Sequence, residues 1–250
     1  MRTFNEILSE QFLRQVVREP RGRALLLAQC AQAEDSGESR LFDRLAERVQ
    51  DADLQRMIVR HQADEIRHAA LFRDCVGRTG LPLPEVPLQL QAVDRLDRAL
   101  GGVFDLPVTD DRGVMDAYLL LQVLEERAVT QFPVFQKVFH EVDPVTAATF
   151  AEVAKDEERH LLYCDAVSKR YAPDEHTRQR TLRHFREVEA LTFAEGNHAV
   201  MHHMLDNGLG AFGPISRAAW RALGLVAPRM TRPGLRTRFF TPGRPSVAAT

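Results

Sequence analysis

A five-residue motif occurs twice in this chain and constrains what can be built around it. Asp64-Glu65-Ile66-Arg67-His68 and Asp156-Glu157-Glu158-Arg159-His160 each set a Glu and a His three residues apart. On an α-helix that spacing stacks a carboxylate and an imidazole one turn apart on one face, where both can close on one metal ion. A single Glu-x-x-His is common on solvated helix faces and supplies too few ligands. Two copies facing each other supply enough for two ions.

The residues upstream repeat as well. Glu34 lies 65 − 34 = 31 residues before Glu65, and Glu126 lies 157 − 126 = 31 residues before Glu157. That interval fits the end of one helix, a short turn and the return half of a second helix. Each half of the chain therefore predicts an antiparallel helix pair with a lone Glu level with a Glu-x-x-His. Two pairs predict a four-helix bundle with four Glu and two His pointing inward. Inward charges are costly unless paired or metal-bound. The expected ligands are Glu34, Glu65 and His68 for one ion, and Glu126, Glu157 and His160 for the other. Glu125 stands beside Glu126, and only the equal spacing favours Glu126. His61, one turn before Glu65, is expected to pack and hydrogen-bond and not to bind metal. Carboxylates and imidazoles without thiolate suit iron or manganese. An Fe/Fe pair is the leading expectation, and a Mn/Fe pair uses the same residue types.

The rest of the chain reads as more helix. Residues 4–18 form an amphipathic segment ended by Pro20. The bundle helices are expected at about 21–50, 53–77, 111–141 and 144–171, so the bundle spans 21–171 after an N-terminal helix in 1–20. Ser36 and Gly37 would leave space beside Glu34, and Pro133 would kink the third bundle helix. Residues 79–88 hold Gly80, Pro82, Pro84 and Pro87 and open a long crossover to the third helix, with a short helix at about 88–100. A C-terminal helical extension, 172–227, carries a helix at 174–206 with a third Glu-x-x-His at Glu195 and His198, which lacks an upstream partner and is expected to line a polar face. After Asp206 no acidic residue follows, and Arg217, Arg221, Arg229, Arg232, Arg236, Arg238 and Arg244 leave a basic segment ending in a Pro/Gly/Arg-rich tail, 228–250.

Composition narrows the function classes. The 250 residues carry 33 − 35 = −2 formal charges, so no global field favours nucleic acid. A hydrophobic content of 44% with 27% charged residues suits a globular chain. No apolar run approaches the roughly 18 residues of a membrane span. The N-terminal residues lack a signal-peptide core. Three scattered cysteines fit a reducing, cytoplasmic setting.

With the Glu…DExRH…Glu…DExRH pattern in place, residues 21–171 resemble the ferritin-like di-iron carboxylate superfamily. DEIRH and DEERH are similar to the motif of bacterial multicomponent monooxygenases, ribonucleotide reductase small subunits and acyl desaturases. The resemblance implies an all-α ferritin-like bundle with a long crossover between its helix pairs. It also implies that Asp64 and Asp156 accept hydrogen bonds from metal-bound imidazoles while Arg67 and Arg159 hold those carboxylates. The implied activity is that of a non-haem dinuclear oxidoreductase that activates dioxygen to oxidise a small organic substrate, fed by an electron-donor protein. The alternative within the same fold is a ferroxidase or rubrerythrin-like iron protein. The basic C-terminal segment could dock an acidic carrier or donor protein, or wrap the chain's own bundle or a second copy in a homodimer.

Overall fold

Helix starts are written into the sequence as caps. Asp51, Asp110, Asp143 and Asp174 each accept hydrogen bonds from backbone N–H groups of the following turn, and Glu19 does the same for Gly22. These side chains satisfy donors that the helix itself leaves unpaired. Pro20 and Pro144 sit in the first turns that follow, where a missing N–H costs nothing. The computed structural model describes residues 4–35 and 38–230. The expectations for Ser36, Gly37 and the tail beyond Met230 lie outside the described residues. The described residues form nine α-helices and no strand: α1 (Phe4–Val16), α2 (Pro20–Glu34), α3 (Glu38–Arg48), α4 (Ala52–Gly77), α5 (Ala92–Ala99), α6 (Asp111–Phe139), α7 (Pro144–Tyr171), α8 (Glu175–Asp206) and α9 (Pro214–Met230).

Two boundaries depart from the sequence expectation. The first bundle helix is not continuous over 21–50, because α2 ends at Glu34 and α3 starts at Glu38. The segment expected to be helical at 88–100 splits into a 3-10 turn at Leu88–Leu90 and α5. Pro133 is accommodated inside α6, which runs unbroken past it.

Apolar side chains gather in two separate clusters. The first joins Leu27 and Ala31 of α2, Phe72 and Val76 of α4, Phe132 and Phe139 of α6, and Phe150 and Val153 of α7. The second joins Phe42 and Leu45 of α3, Leu54 and Ile58 of α4, Tyr118 and Leu121 of α6, and Cys164 and Val167 of α7. Reading each helix from one cluster to the other gives its direction. The α2–α3 segment and α7 run from the first cluster to the second, whereas α4 and α6 run from the second to the first. The second and third bundle helices, α4 and α6, are therefore parallel, and residues 78–110 must travel the length of the bundle to connect them. That crossover ends α5 with Gly101 and Gly102, whose φ values of 84° and 80° favour glycine. The most extensive packing pairs α6 with α7 and α2 with α4.

Phe150 is the hub of the first cluster. Its ring lies 5.0, 5.5, 5.1 and 5.4 Å from those of Phe72, Phe132, Phe135 and Phe139. Phe150→Ala is expected to destabilise the protein by about 3–5 kcal/mol, the usual cost of emptying a packed aromatic site. A urea titration followed by circular dichroism would show it as a lower midpoint at unchanged slope.

Candidate metal centre

Every one of the four bundle segments carries a buried glutamate between the two apolar clusters. Glu34 follows Ala31, and Glu65 and His68 stand between Ile58 and Phe72. Glu125 stands between Leu121 and Phe132, and Glu157 and His160 between Val153 and Cys164. The result is a polar layer with hydrocarbon above and below. Glu65, His68, Glu125, Glu157 and His160 are buried, and Glu34 closes one side at 9% exposure.

The layer resolves into two groups whose donor atoms lie within 4.8 Å of one another: Glu34, Glu65, His68 and Glu157, and His61, Glu65, Glu125 and His160. Glu65 belongs to both. Glu157 also spans them, with Oε1 3.3 Å from His68 Nδ1 and Oε2 2.9 Å from His160 Nδ1. Glu34 Oε2 stands 3.6 Å from His68 Nδ1, and Glu125 Oε1 stands 3.5 Å from His160 Nδ1. Two carboxylates thus sit centrally and one at each end.

Glu126 is not among them, which corrects the expectation from equal spacing. Its carboxylate turns outward to Arg186 of α8, which donates to both oxygens at 2.8 and 2.5 Å. The adjacent pair Arg127–Glu189 is also bidentate, at 2.7 Å for each bond. One residue is about 100° of rotation on a helix, so Glu125 and Glu126 face different neighbours. The buried stripe Tyr118, Glu125, Phe132, Phe139 recurs every seventh residue. The same step from Glu126 meets Pro133 and His140, a signal in the sequence that would have chosen Glu125. His61 packs against Phe42 and hydrogen-bonds, as expected, and it does so within the layer: its Nε2 lies 2.8 Å from Glu125 Oε1 and 3.2 Å from Glu65 Oε1. The third Glu-x-x-His stays apart. His198 contacts His202 and the Gly224 carbonyl oxygen, and Glu195 pairs with Arg95.

The far sides of the two imidazoles are held by a crossed lattice. His68 Nε2 lies 3.3 Å from Asp156 Oδ2, and His160 Nε2 lies 3.4 Å from Asp64 Oδ2. Each aspartate therefore serves the histidine of the opposite helix. Arg67 donates to Asp156 and, at 3.3 Å, to Asp64; Arg159 pairs with both at 2.6 Å. This joins α4 to α7 and sets which nitrogen is left to face the carboxylates, in the way oriented acceptors fix ligating imidazoles.

The ionisation of the layer is that of charges kept dry together. Burial, reinforced by Glu65, holds the Glu34 carboxyl well above its ordinary range. Burial with the nearby Glu125 and Glu65 pushes Glu157 up to about 8. Burial also opposes ionisation of Glu65 and Glu125, but adjacent imidazoles outweigh it. His160, His61 and His68 hold Glu65 well below the usual range, and His160 and His61 hold Glu125 down to about 2. Conversely, burial opposes the charged imidazoles, yet Glu157, Glu34 and Glu65 push His68 up to about 12, and Glu125, Glu157 and Glu65 raise His160. Glu65 Oε1 and His68 Nδ1 nonetheless meet no hydrogen-bond partner in good geometry although both are buried. Unpartnered donor atoms aimed into a layer of oxygen and nitrogen ligands fit a cation better than protons alone, and these groups could hold a metal ion.

Burial favours the protonated forms of Glu34 and Glu157, and the carboxylates around them favour protonated His68 and His160, so a metal ion taken up here would displace protons. The bound form carries fewer protons, so affinity rises with pH. Apparent affinity for a divalent ion is expected to increase steadily from about pH 6 to about pH 8, with proton release on binding. An indicator dye in weak buffer would record the release; uptake without it would contradict these proton-bearing groups as ligands. No helix among the described residues is long and apolar enough to cross a membrane. Comparison with protein-family models, curated proteins and solved structures finds no match to this chain.

Proposed function

We propose that this protein is a ferritin-like, non-haem dinuclear oxidoreductase that uses dioxygen to oxidise a small organic molecule. The observation that carries the reading is the crossed lattice: two imidazoles, each oriented by an aspartate from the opposite helix, facing four buried carboxylates. Glu34, Glu65, His68, Glu125, Glu157 and His160 would hold the two ions, with iron the first choice and a manganese–iron pair served by the same donors. Such ions supply redox equivalents and a Lewis-acidic site for dioxygen. In a hydroxylation, one oxygen atom enters the substrate and the other leaves as water, with two electrons and two protons from an external donor protein.

The chain's own residues shape that chemistry. Asp64 and Asp156 keep the Nε2 protons in place, so Nδ1 stays available. The two apolar clusters exclude water from both ends of the layer. Glu34 is the ligand nearest the surface. A cavity of about 280 Å³ lies over the same turn of α2, bordered by Ala28, Ala31, Asp35, Arg73, Leu83 and Val86. That is just below the usual range for small-molecule sites. Its lining reaches Asp35, beside Glu34, but includes none of the candidate ligands.

The test is anaerobic loading with ferrous iron followed by exposure to air-saturated buffer in an oxygen electrode. Dioxygen uptake in fixed proportion to about two irons per chain is expected. Protein that binds iron yet leaves dioxygen untouched would sink the reading. Continued oxidation of many added irons per chain would favour the ferroxidase alternative.

A further inference from the structure

One imidazole makes the two ends of the metal layer unequal. Glu65 and Glu157 are shared, and Glu34 with His68 at one end answers Glu125 with His160 at the other. His61 has no counterpart. Its Nε2 points at Glu125 Oε1 and Glu65 Oε1, at 2.8 and 3.2 Å, and His160 Nδ1 stands 3.5 and 3.2 Å from the same two oxygens. The two rings lie 3.8 Å apart with 31° between their planes, so their nitrogens are presented side by side, and Phe42 packs against His61 at 4.6 Å. His61 Nδ1 meets no hydrogen-bond partner. Its ring is therefore not locked in one tautomer by an aspartate, and a proton displaced from Nε2 can reside on Nδ1. Imidazole donors favour metals later in the divalent series, whereas carboxylate-rich sites suit manganese.

We infer that His61 is a third imidazole ligand and that the two positions differ in metal preference. The position among His61, Glu65, Glu125 and His160 selects iron over manganese. The position among Glu34, Glu65, His68 and Glu157 accepts manganese readily. This rests on the dinuclear reading above.

Full-length metal-free protein would be loaded anaerobically with equal ferrous and manganous ions, crystallised, and measured by anomalous diffraction at both absorption edges. The iron-to-manganese ratio is expected to be about tenfold higher at the His61 position, in line with the order of divalent affinities. His61→Gln keeps an N–H near Glu125 but removes the imidazole, and should bring the two ratios together. Independently, the cobalt-loaded wild-type protein should show three exchangeable, paramagnetically shifted imidazole N–H resonances by NMR, a count that does not depend on the variant folding. Equal ratios at both positions, an unchanged distribution in His61→Gln, or only two such resonances would overturn the inference while leaving a dinuclear centre intact. Failure of either position to take metal would overturn the dinuclear reading itself.

Discussion

Glu65→Ala is expected to cost the protein metal at both positions, lowering content from about two ions per chain to near zero. Glu65 is the carboxylate common to both donor groups. Its Oε1 stands 3.2 Å from His160 Nδ1, and its Oε2 stands 3.8 Å from His68 Nδ1. Glu157 also reaches both imidazoles, but it would then stand as the one shared carboxylate where the intact layer has two. Helix content should change little, because alanine is the best helix former and Glu65 lies well inside the 26-residue α4. The variant leaves imidazoles short of a buried partner, which costs about 1–3 kcal/mol of stability in the metal-free state. Elemental analysis after dialysis, beside far-ultraviolet circular dichroism, separates metal loss from unfolding. Full metal content in a folded Glu65→Ala protein would remove Glu65 from the site.

The second large effect distinguishes neighbours. Glu125→Ala should lose the ion bound with His160, whereas Glu126→Ala should keep both. Only 6% of the Glu125 side chain is exposed, against 23% for Glu126. Glu126 instead pairs with a half-exposed Arg186, and ion pairs of that kind contribute about 0–1 kcal/mol. Isothermal titration with a divalent ion should therefore show one binding event lost in the first variant and an unaltered isotherm in the second. The reverse outcome would restore the assignment made from equal spacing.

The polar layer explains why so charged a core is tolerated. In the metal-free protein, raised carboxyls and raised imidazoles share protons and pair with one another. The lattice of Asp64, Asp156, Arg67 and Arg159 carries its charges at the edge of the layer, where water screens part of the cost. Ions entering the layer exchange with protons and add no net buried charge of the same size.

Much of this was legible in the chain. Two DExRH motifs fixed which faces of α4 and α7 turn inward, because Glu and His three apart must share a helix face. The second upstream interval differs from the first by one residue once Glu125 replaces Glu126, since 157 − 125 = 32. The path from α2 passes through a helix end and α3 before α4 begins, whereas α6 runs straight to the turn before α7. Equal counting along unequal paths gave Glu126, which lies outside the layer, and the seven-residue stripe of Tyr118, Phe132 and Phe139 points to Glu125, which lies within it.

What the sequence determined by itself was the helical class, the caps that start the helices, and the motif residues that must face inward, because periodicity and capping are local physics. What only the tertiary structure decided was which residues meet. The packing of α8 on α6 gave Glu126 its partner Arg186. The approach of α4 to α7 set each aspartate on the other helix's histidine. The approach of α4 to α6 and α7 set His61 beside His160 and against Glu125. Each depends on where a second helix lies, and a one-residue turn of a helix moves a side chain by about 100° without changing any pattern in its own segment.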